Sequence, residues 1–233
     1  MTGRFIRGAL IEFRPAFGPP LPNVIAFQFN PETMTHAWTQ AESAGGGEAA
    51  LGRKANPLAV RGLPGESFSF SLMLDAAEPI ADGDPVSGPV AQTSGVYARL
   101  AALEMLQFPV PAAAAAGLAR AAPAPGGGAT DKRRVPEGQV PTVLFVWGPR
   151  RIVPVRVTAL SITEQLYDPL LNPTHAEATI TLQVLTRDDF AAVTGRLSTF
   201  AKGAYNYSHG VRQALALVNL GNAAESTVGM LPL

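Results

Sequence analysis

Alternation of hydrophobic and polar residues is the strongest pattern in this chain, and it predicts β-strands. It is most regular in residues 67–74, where large apolar side chains face one way and serine or methionine faces the other. The same pattern recurs in the runs at residues 5–13, 25–29, 152–162 and 176–184, and a short continuous apolar run at residues 143–147 also predicts a strand. Because several runs have one polar face, we expect a mainly antiparallel sheet with a solvated side.

The run at residues 152–162 also predicts which side chains face the interior. Under strict alternation, one side carries Val153, Val155, Val157 and Ala159. Leu160 then falls on the other side. A Gly-Pro pair follows the run at 143–147, and an Asn-Pro pair precedes the run at 176–184. Proline does not continue a central strand. Strands joined by tight turns are therefore expected here.

Two segments have helical spacing. Apolar residues from Val96 to Leu106 predict a helix that Thr93 or Ser94 caps and that ends before Pro109. A second apolar stripe runs towards the end of the chain through Leu197, Phe200, Ala204, Tyr207, Val211, Leu215 and Val218. We expect this stripe to require a partner surface.

Segments without periodicity divide the chain. Residues 43–65 are rich in alanine and glycine, and residues 109–141 contain an alanine run, Pro-Ala-Pro and three consecutive glycines. Such compositions predict flexible loops, the second of which is expected to order only against another chain. Asp-Gly-Asp-Pro within residues 79–89 predicts a turn. The expected organisation is a β domain at 1–186 and a helical extension at 187–233.

Charge and composition narrow the possible partners. The chain has 18 basic and 18 acidic residues and a formal net charge of zero, so neither nucleic acid nor an anionic membrane is expected to bind it. Charged residues make up 15% of the chain, against about 25% in ordinary soluble domains, which favours oligomerisation. The absence of cysteine excludes disulfides. No signal peptide or membrane span is predicted, and assembly in the cytoplasm is expected.

The search for chemistry yields no predicted catalytic, cofactor-binding or metal-binding residue. His36, His175 and His209 lie far apart and lack the paired spacing of a zinc site. The glycine runs lack the Lys-Ser/Thr of a phosphate loop. The basic run Lys132-Arg133-Arg134 lacks flanking aromatic residues, so a solvated loop or an intersubunit ion-pair site is favoured over nucleic-acid binding. The chain is therefore not expected to be an enzyme.

The order of several motifs resembles the contractile injection system tube-protein family. The motifs span residues 5–186 and occur in this sequence as Phe27-Gln28-Phe29-Asn30-Pro31-Glu32-Thr33, Glu66 to Asp75, Leu100 to Glu104, Val143-Leu144-Phe145-Val146-Trp147-Gly148, Leu160 to Glu164, and Leu171-Asn172-Pro173 leading to Ala176-Glu177-Ala178. Many members carry a LysM module after the tube domain. This chain lacks its Gly-Asp-Thr-Leu segment and has the apolar helical stripe instead.

The resemblance implies an antiparallel β-barrel or sandwich of the phage tail-tube type that assembles as a hexameric ring. Its expected role is structural: a baseplate adaptor that connects the spike hub to the inner tube and helps to initiate tube assembly. The implied partners are further copies of the chain, the spike hub protein, the inner tube protein and other baseplate subunits. The chain would become part of an intracellular or released injection particle.

Interface residues are expected in the two most specific motifs, in the basic loop and on the C-terminal stripe. They are Phe29, Asn30, Pro31, Trp147, Gly148, Lys132, Arg133, Arg134, Phe200 and Tyr207. One alternative is a glycan- or peptidoglycan-binding β-sandwich module, for which Trp38 and Trp147 offer stacking surfaces. Another is a hydrolase that uses carboxylates from the set Asp75, Asp82, Asp84 and Glu104.

Overall fold

The computed structural model describes residues 6–13, 22–41, 58–83, 85–109, 140–192 and 196–230. The strands within them are β1 (Ala9–Phe13), β2 (Pro22–Ala26), β3 (Met34–Thr39), β4 (Gly65–Asp75), β5 (Thr142–Val146), β6 (Ile152–Tyr167) and β7 (Pro173–Val184). They form one seven-stranded antiparallel sheet in the order β2-β1-β5-β6-β7-β4-β3.

Helices flank this sheet and follow it. They are α1 (Ala77–Ala81), α2 (Ser87–Ser94), α3 (Tyr97–Glu104), α4 (Asp189–Ala192) and α5 (Arg196–Met230), with a 3-10 turn at Met105–Gln107. The prediction of a mainly antiparallel β fold followed by a C-terminal helix is confirmed. The loops predicted at 43–65 and 109–141 lie for the most part outside the described residues.

The sheet is strongly curled around a cluster of phenylalanine rings. β4 and β5 are separated by β6 and β7, so a flat sheet would place them about 14 Å apart at roughly 4.8 Å per strand. Their rings are nevertheless in contact: Phe145 lies 5.3 Å from Phe68 and 5.5 Å from Phe70 between centroids. Phe27 packs on Phe70 at 5.5 Å. The inner face of the curl is therefore the hydrophobic core.

Helix α3 covers part of this core with the residues that helical spacing selects. Val96, Leu100, Leu103 and Leu106 are each at most 1% exposed. The predicted cap is wrong, however: Thr93 and Ser94 end helix α2, and their hydroxyls donate hydrogen bonds back to carbonyls of that helix. The turn predicted at Asp-Gly-Asp-Pro is confirmed for its described residues, Asp82, Gly83 and Pro85, which lie between α1 and α2.

A β-bulge in β6 inverts the predicted facing of its second half. Val157 pairs with Leu182 and Ala159 pairs with Thr181, which leaves Thr158 as the extra residue. Leu160 consequently packs against the core while Ala159 is exposed, the reverse of strict alternation. The hydroxyl of Thr158 donates to the Thr181 carbonyl at 3.2 Å.

Strand β3 is a further correction, because no strand was predicted between residues 29 and 67. It pairs with β4 along its whole length: Met34 is opposite Phe70 at one end, and Thr39 is opposite Gly65 at the other. Its partly buried positions include His36, so its two-residue period does not separate hydrophobic from polar residues. The strand predicted at 25–29 ends earlier, at Ala26, and Phe27 turns into the core.

Candidate assembly surfaces

The two edges of the described sheet are the strands β2 and β3. Among the described residues, β2 pairs only with β1 and β3 pairs only with β4. Side chains on both edges are open to solvent, with Val24 55% exposed and Trp38 47% exposed. An edge strand presents a row of N–H and C=O groups on which a further strand pairs readily. Both edges are therefore candidate sites of intermolecular pairing.

A buried carboxylate joins the β3 edge to helix α5. Glu66 on β4 is 3% exposed, and it accepts hydrogen bonds from Arg212 at 2.7 Å (Nη2 to Oε1) and 3.3 Å (Nη1 to Oε2). Nε2 of His36 lies 2.8 Å from the same Oε1. A buried carboxylate is stable only with such partners. The cluster therefore fixes α5 against the edge strand.

Aromatic rings complete this cluster. The guanidinium of Arg212 lies 4.7 Å above the Trp38 ring, and that of Arg151 lies 5.2 Å above the Phe68 ring. Burial lowers the pKa of Arg151; the nearby Glu66 charge opposes this shift and Arg212 adds to it. Burial also raises the pKa of the half-buried tyrosine at position 205. Arg212 contacts both oxygens of the Glu66 carboxylate, so the cluster ties β4 to α5.

The sequence carries a signal for this cluster. Glu66 stands two residues before Phe68, in the same alternation as the buried phenylalanines of β4. A glutamate at a core-facing position requires a cation, and this requirement predicts a charged partner without naming it. His36 is the second side-chain partner of Glu66.

The structure brings together the two motifs that carry the interface prediction. Trp147 packs 6.3 Å from Phe27, next to the Phe-Asn-Pro segment. The Asn30 side chain accepts a hydrogen bond from the Gly8 amide at 2.9 Å and donates one to the Ile6 carbonyl at 2.9 Å. Asn30 and Trp147 therefore hold the chain before β1 in place.

The remaining interface candidates have different surroundings. Phe29 is 44% exposed, Pro31 is half-buried, and Gly148 has a φ of +71° in the turn after β5. Lys132, Arg133 and Arg134 lie outside the described residues. Among the ten candidates, exposed large apolar side chains are therefore found at Phe29, Phe200 and Tyr207.

Among the described side chains of helix α5, the buried ones lie beside the predicted stripe rather than on it. Ala201 and Ser208 are buried, and the Ser208 hydroxyl donates to the Ile152 carbonyl at 2.7 Å. Each follows a stripe residue, Phe200 or Tyr207, and so lies about 100° from it around the helix axis. Phe200 and Tyr207 are 59% and 50% exposed. The Phe200 ring nevertheless contacts Phe13 at 5.7 Å between centroids, and the Tyr207 hydroxyl donates to the Pro149 carbonyl at 2.9 Å. The stripe therefore borders the docked face, and its exposed part is available for contact with another molecule.

The carboxylates considered for catalysis have different surroundings. The Asp75 carboxylate accepts a bond from the Ala77 amide at 2.7 Å and lies 3.3 Å from His175 Nε2. Asp82 follows α1, Glu104 ends α3, and Asp84 lies outside the described residues. In the part of the chain that the structure describes, no three His, Asp or Glu side chains are grouped to bind a metal, and no helix is long and apolar enough to cross a membrane.

One groove has side chains of the kind that bind sugars. It has a volume of about 370 Å³ and is lined in part by Tyr205, Asn206, His209 and Gln213. The rings of Tyr205 and His209 stack 6.0 Å apart. By contrast, Trp38 lies beneath Arg212, and Trp147 is half-buried in the core. If the chain binds glycans, this groove suits the task better than either tryptophan.

Neither any protein-family model nor any curated protein matches this chain. The assignment of function therefore depends on the surfaces described above and on the order of the sequence motifs.

Proposed function

We propose that this chain is a ring-forming structural subunit of a contractile injection particle, placed where the spike hub meets the inner tube. The observation that carries the proposal is the pair of open edges on a curled antiparallel sheet. In a closed ring, β3 of one copy pairs with β2 of the next, and every edge is covered. The motif order supports a tail-tube type of barrel or sandwich and a ring of six copies.

The rest of the described surface agrees with this role. The cluster around Glu66 holds β3 against α5, so the edge is presented in one fixed orientation. The exposed stripe with Phe200 and Tyr207 leaves a second apolar surface for the hub, the tube or another baseplate subunit. In this account the chain performs no chemistry, and its work is to match the symmetry of the hub to that of the tube.

The test blocks each edge separately. Val24→Lys places a charge on β2 and Ala37→Lys places one on β3, and both positions are exposed, so each variant should fold. Each variant alone should fail to form rings in negative-stain images. An equimolar mixture should stop at heterodimers, because each dimer has one intact contact and two blocked outer edges. The matched control is Ser161→Lys, an exposed position on the central strand β6, which should assemble normally.

Two outcomes would contradict the proposal. If Val24→Lys and Ala37→Lys form rings as the wild type does, the edges are not the contact. If the wild-type chain is monomeric even when mixed with its hub and tube partners, the chain is not a ring subunit.

A glycan-binding module is the second candidate, and the groove beside Tyr205 and His209 favours it. Amide side chains at Asn206 and Gln213 supply both donors and acceptors for sugar hydroxyls. Pull-down on insoluble peptidoglycan should retain the wild type and lose an Asn206→Ala, Gln213→Ala variant if this function is correct. Equal retention of both proteins, or of neither, would reject it.

A further inference from the structure

The tip of the β6–β7 hairpin is a rigid loop. Asp168 accepts hydrogen bonds from the Leu170 amide at 2.7 Å, from the Asn172 amide at 2.8 Å and from the Asn172 side chain at 2.9 Å. The Leu171 amide donates to the Asp168 carbonyl at 2.9 Å. With so many bonds in five residues, the loop has one well-defined conformation.

This loop displays two leucines in an unfavourable setting. Leu170 and Leu171 are each 79% exposed. Leu171 also has a φ of +64°, a region that glycine or asparagine normally occupies. Neither exposure nor positive φ stabilises the isolated subunit. Such strain is typical of functional loops, and a rigid apolar projection is the form that a binding anchor takes.

A groove beside the β2 edge has the shape to receive these leucines. It lies between β2 and α3, has a volume of about 290 Å³, and its apolar lining comes from Ile25, Phe27, Leu72, Leu74, Ala98 and Leu103. This is roughly twice the 150 Å³ cavity that accepts a benzene molecule. One wall carries Arg99, whose guanidinium already donates to Gln28 at 2.9 Å. The groove therefore suits an uncharged apolar group.

The tip of the same chain does not fill this groove. Its base is tied to the corner between α2 and α3, where the Val96 amide donates to the Pro173 carbonyl at 2.8 Å. The Asn172 side chain donates to the Thr93 carbonyl at 3.3 Å. From that position both leucines point into solvent, as their exposure shows. An intermolecular contact is needed to bury them.

We infer that Leu170 and Leu171 of one copy insert into the β2–α3 groove of the neighbouring copy. The inference rests on the proposed ring, because pairing at β2 brings a second copy to the rim of this groove. Chemical complementarity supports a second copy: Leu166, Tyr167, Leu170 and Leu171 form an exposed group of apolar and aromatic side chains at the tip and the strand end before it, with Glu164 and Asp168 as the charged residues beside them. The contact is head-to-tail, which is the kind that closes a ring.

The absence of cysteine from the chain allows a direct crosslinking test. Leu171→Cys and Ala98→Cys are prepared separately, mixed, assembled and oxidised. A disulfide forms only where Cα atoms approach within about 7 Å. We expect a disulfide-linked heterodimer on a non-reducing gel. The matched control pairs Leu171→Cys with Gln213→Cys, an exposed position on α5, and should give little of this species.

The outcomes separate this inference from the proposed function. Rings in the electron microscope without heterodimer above the control would overturn the docking of the tip and leave the ring intact. Absence of both rings and crosslinks would overturn both. The variant Leu171→Gly provides a second test, and it should fold because glycine accommodates the positive φ. Its concentration for half-assembly should rise roughly tenfold or more through loss of the buried leucine; an unchanged value would also overturn the docking.

Discussion

Replacing Arg212 by leucine should destabilise the fold strongly, because it leaves Glu66 buried without its main partner. Glu66 is 3% exposed and would keep only the bond to His36. Removing one member of a buried ion pair typically costs about 3–5 kcal/mol. The Arg212 side chain is 39% exposed, so solvent screens part of the interaction, and we expect about 3 kcal/mol.

The size of this effect is measurable by unfolding in urea. In a chain of this length, about 3 kcal/mol corresponds to a fall in Tm of roughly 6–12 °C. Fluorescence provides the readout, since Trp38 lies directly beneath the Arg212 guanidinium. The measurement is best made in the Val24→Lys background, which keeps the copies apart. The control is Arg7→Leu, which removes an exposed pair with Glu78 at 3.4 Å and should cost under about 0.5 kcal/mol.

A double variant separates charge burial from packing. Arg212→Leu combined with Glu66→Gln removes both charges, so it should cost less than Arg212→Leu alone. If Arg212→Leu unfolds within about 0.5 kcal/mol of the parent protein, or if the double variant is the less stable of the two, the cluster does not hold α5 on the sheet.

Three further changes test separate parts of the fold. Gly95→Ala should cost at least about 3 kcal/mol in urea, because its Cβ would lie 2.1 Å from the Pro173 carbonyl oxygen at a φ of +56°, whereas Gly83→Ala, with φ +64° and open space, should cost about 1 kcal/mol; equal costs would contradict the clash. Asn30→Ala removes the two hydrogen bonds that the Asn30 side chain makes to the backbone of Gly8 and Ile6, and it should cost about 2 kcal/mol. An unchanged Tm would show that these bonds do not stabilise the fold. Hydrogen bonds, chiefly from the neighbouring asparagine side chain, lower the pKa of Asp168 in the folded chain, so its ionised form stabilises the fold above about pH 4 and this contribution is lost as pH falls further. The stability difference between the wild type and Asp168→Ala should therefore shrink below pH 4, and a constant difference would refute this origin.

Local patterns sufficed for the core strands and for the buried face of α3. In β4, hydrophobic alternation alone selects Phe68 and Phe70. It does not detect β3, whose partly buried positions carry a methionine and a histidine and whose tryptophan is exposed. It also misplaces Leu160, because the bulge at Thr158 depends on pairing with β7, a distant part of the chain. The alternation of hydrophobic and polar residues predicts which side chains are buried only where the pairing with the neighbouring strand contains no bulge.

The candidate surfaces were harder to predict for the same reason. The position of Glu66 in the β4 alternation indicates a buried carboxylate, but its partner Arg212 is 146 residues away. The apolar stripe on α5 was recognised, yet its position about 100° from the docking face follows from Ser208 and its bond to β6. The positive φ of Leu171 cannot be predicted from the sequence, because leucine does not favour that backbone conformation. These features come from tertiary structure.

The central claim, that copies of this chain close into a ring through their sheet edges, is tested most directly by native mass spectrometry of the wild-type protein. A ring of six copies of 24.3 kDa each should appear at about 146 kDa. The Val24→Lys variant should appear at the mass of a single chain under the same conditions. A wild-type spectrum that contains only the single chain at every concentration, with or without the hub protein, would contradict the account.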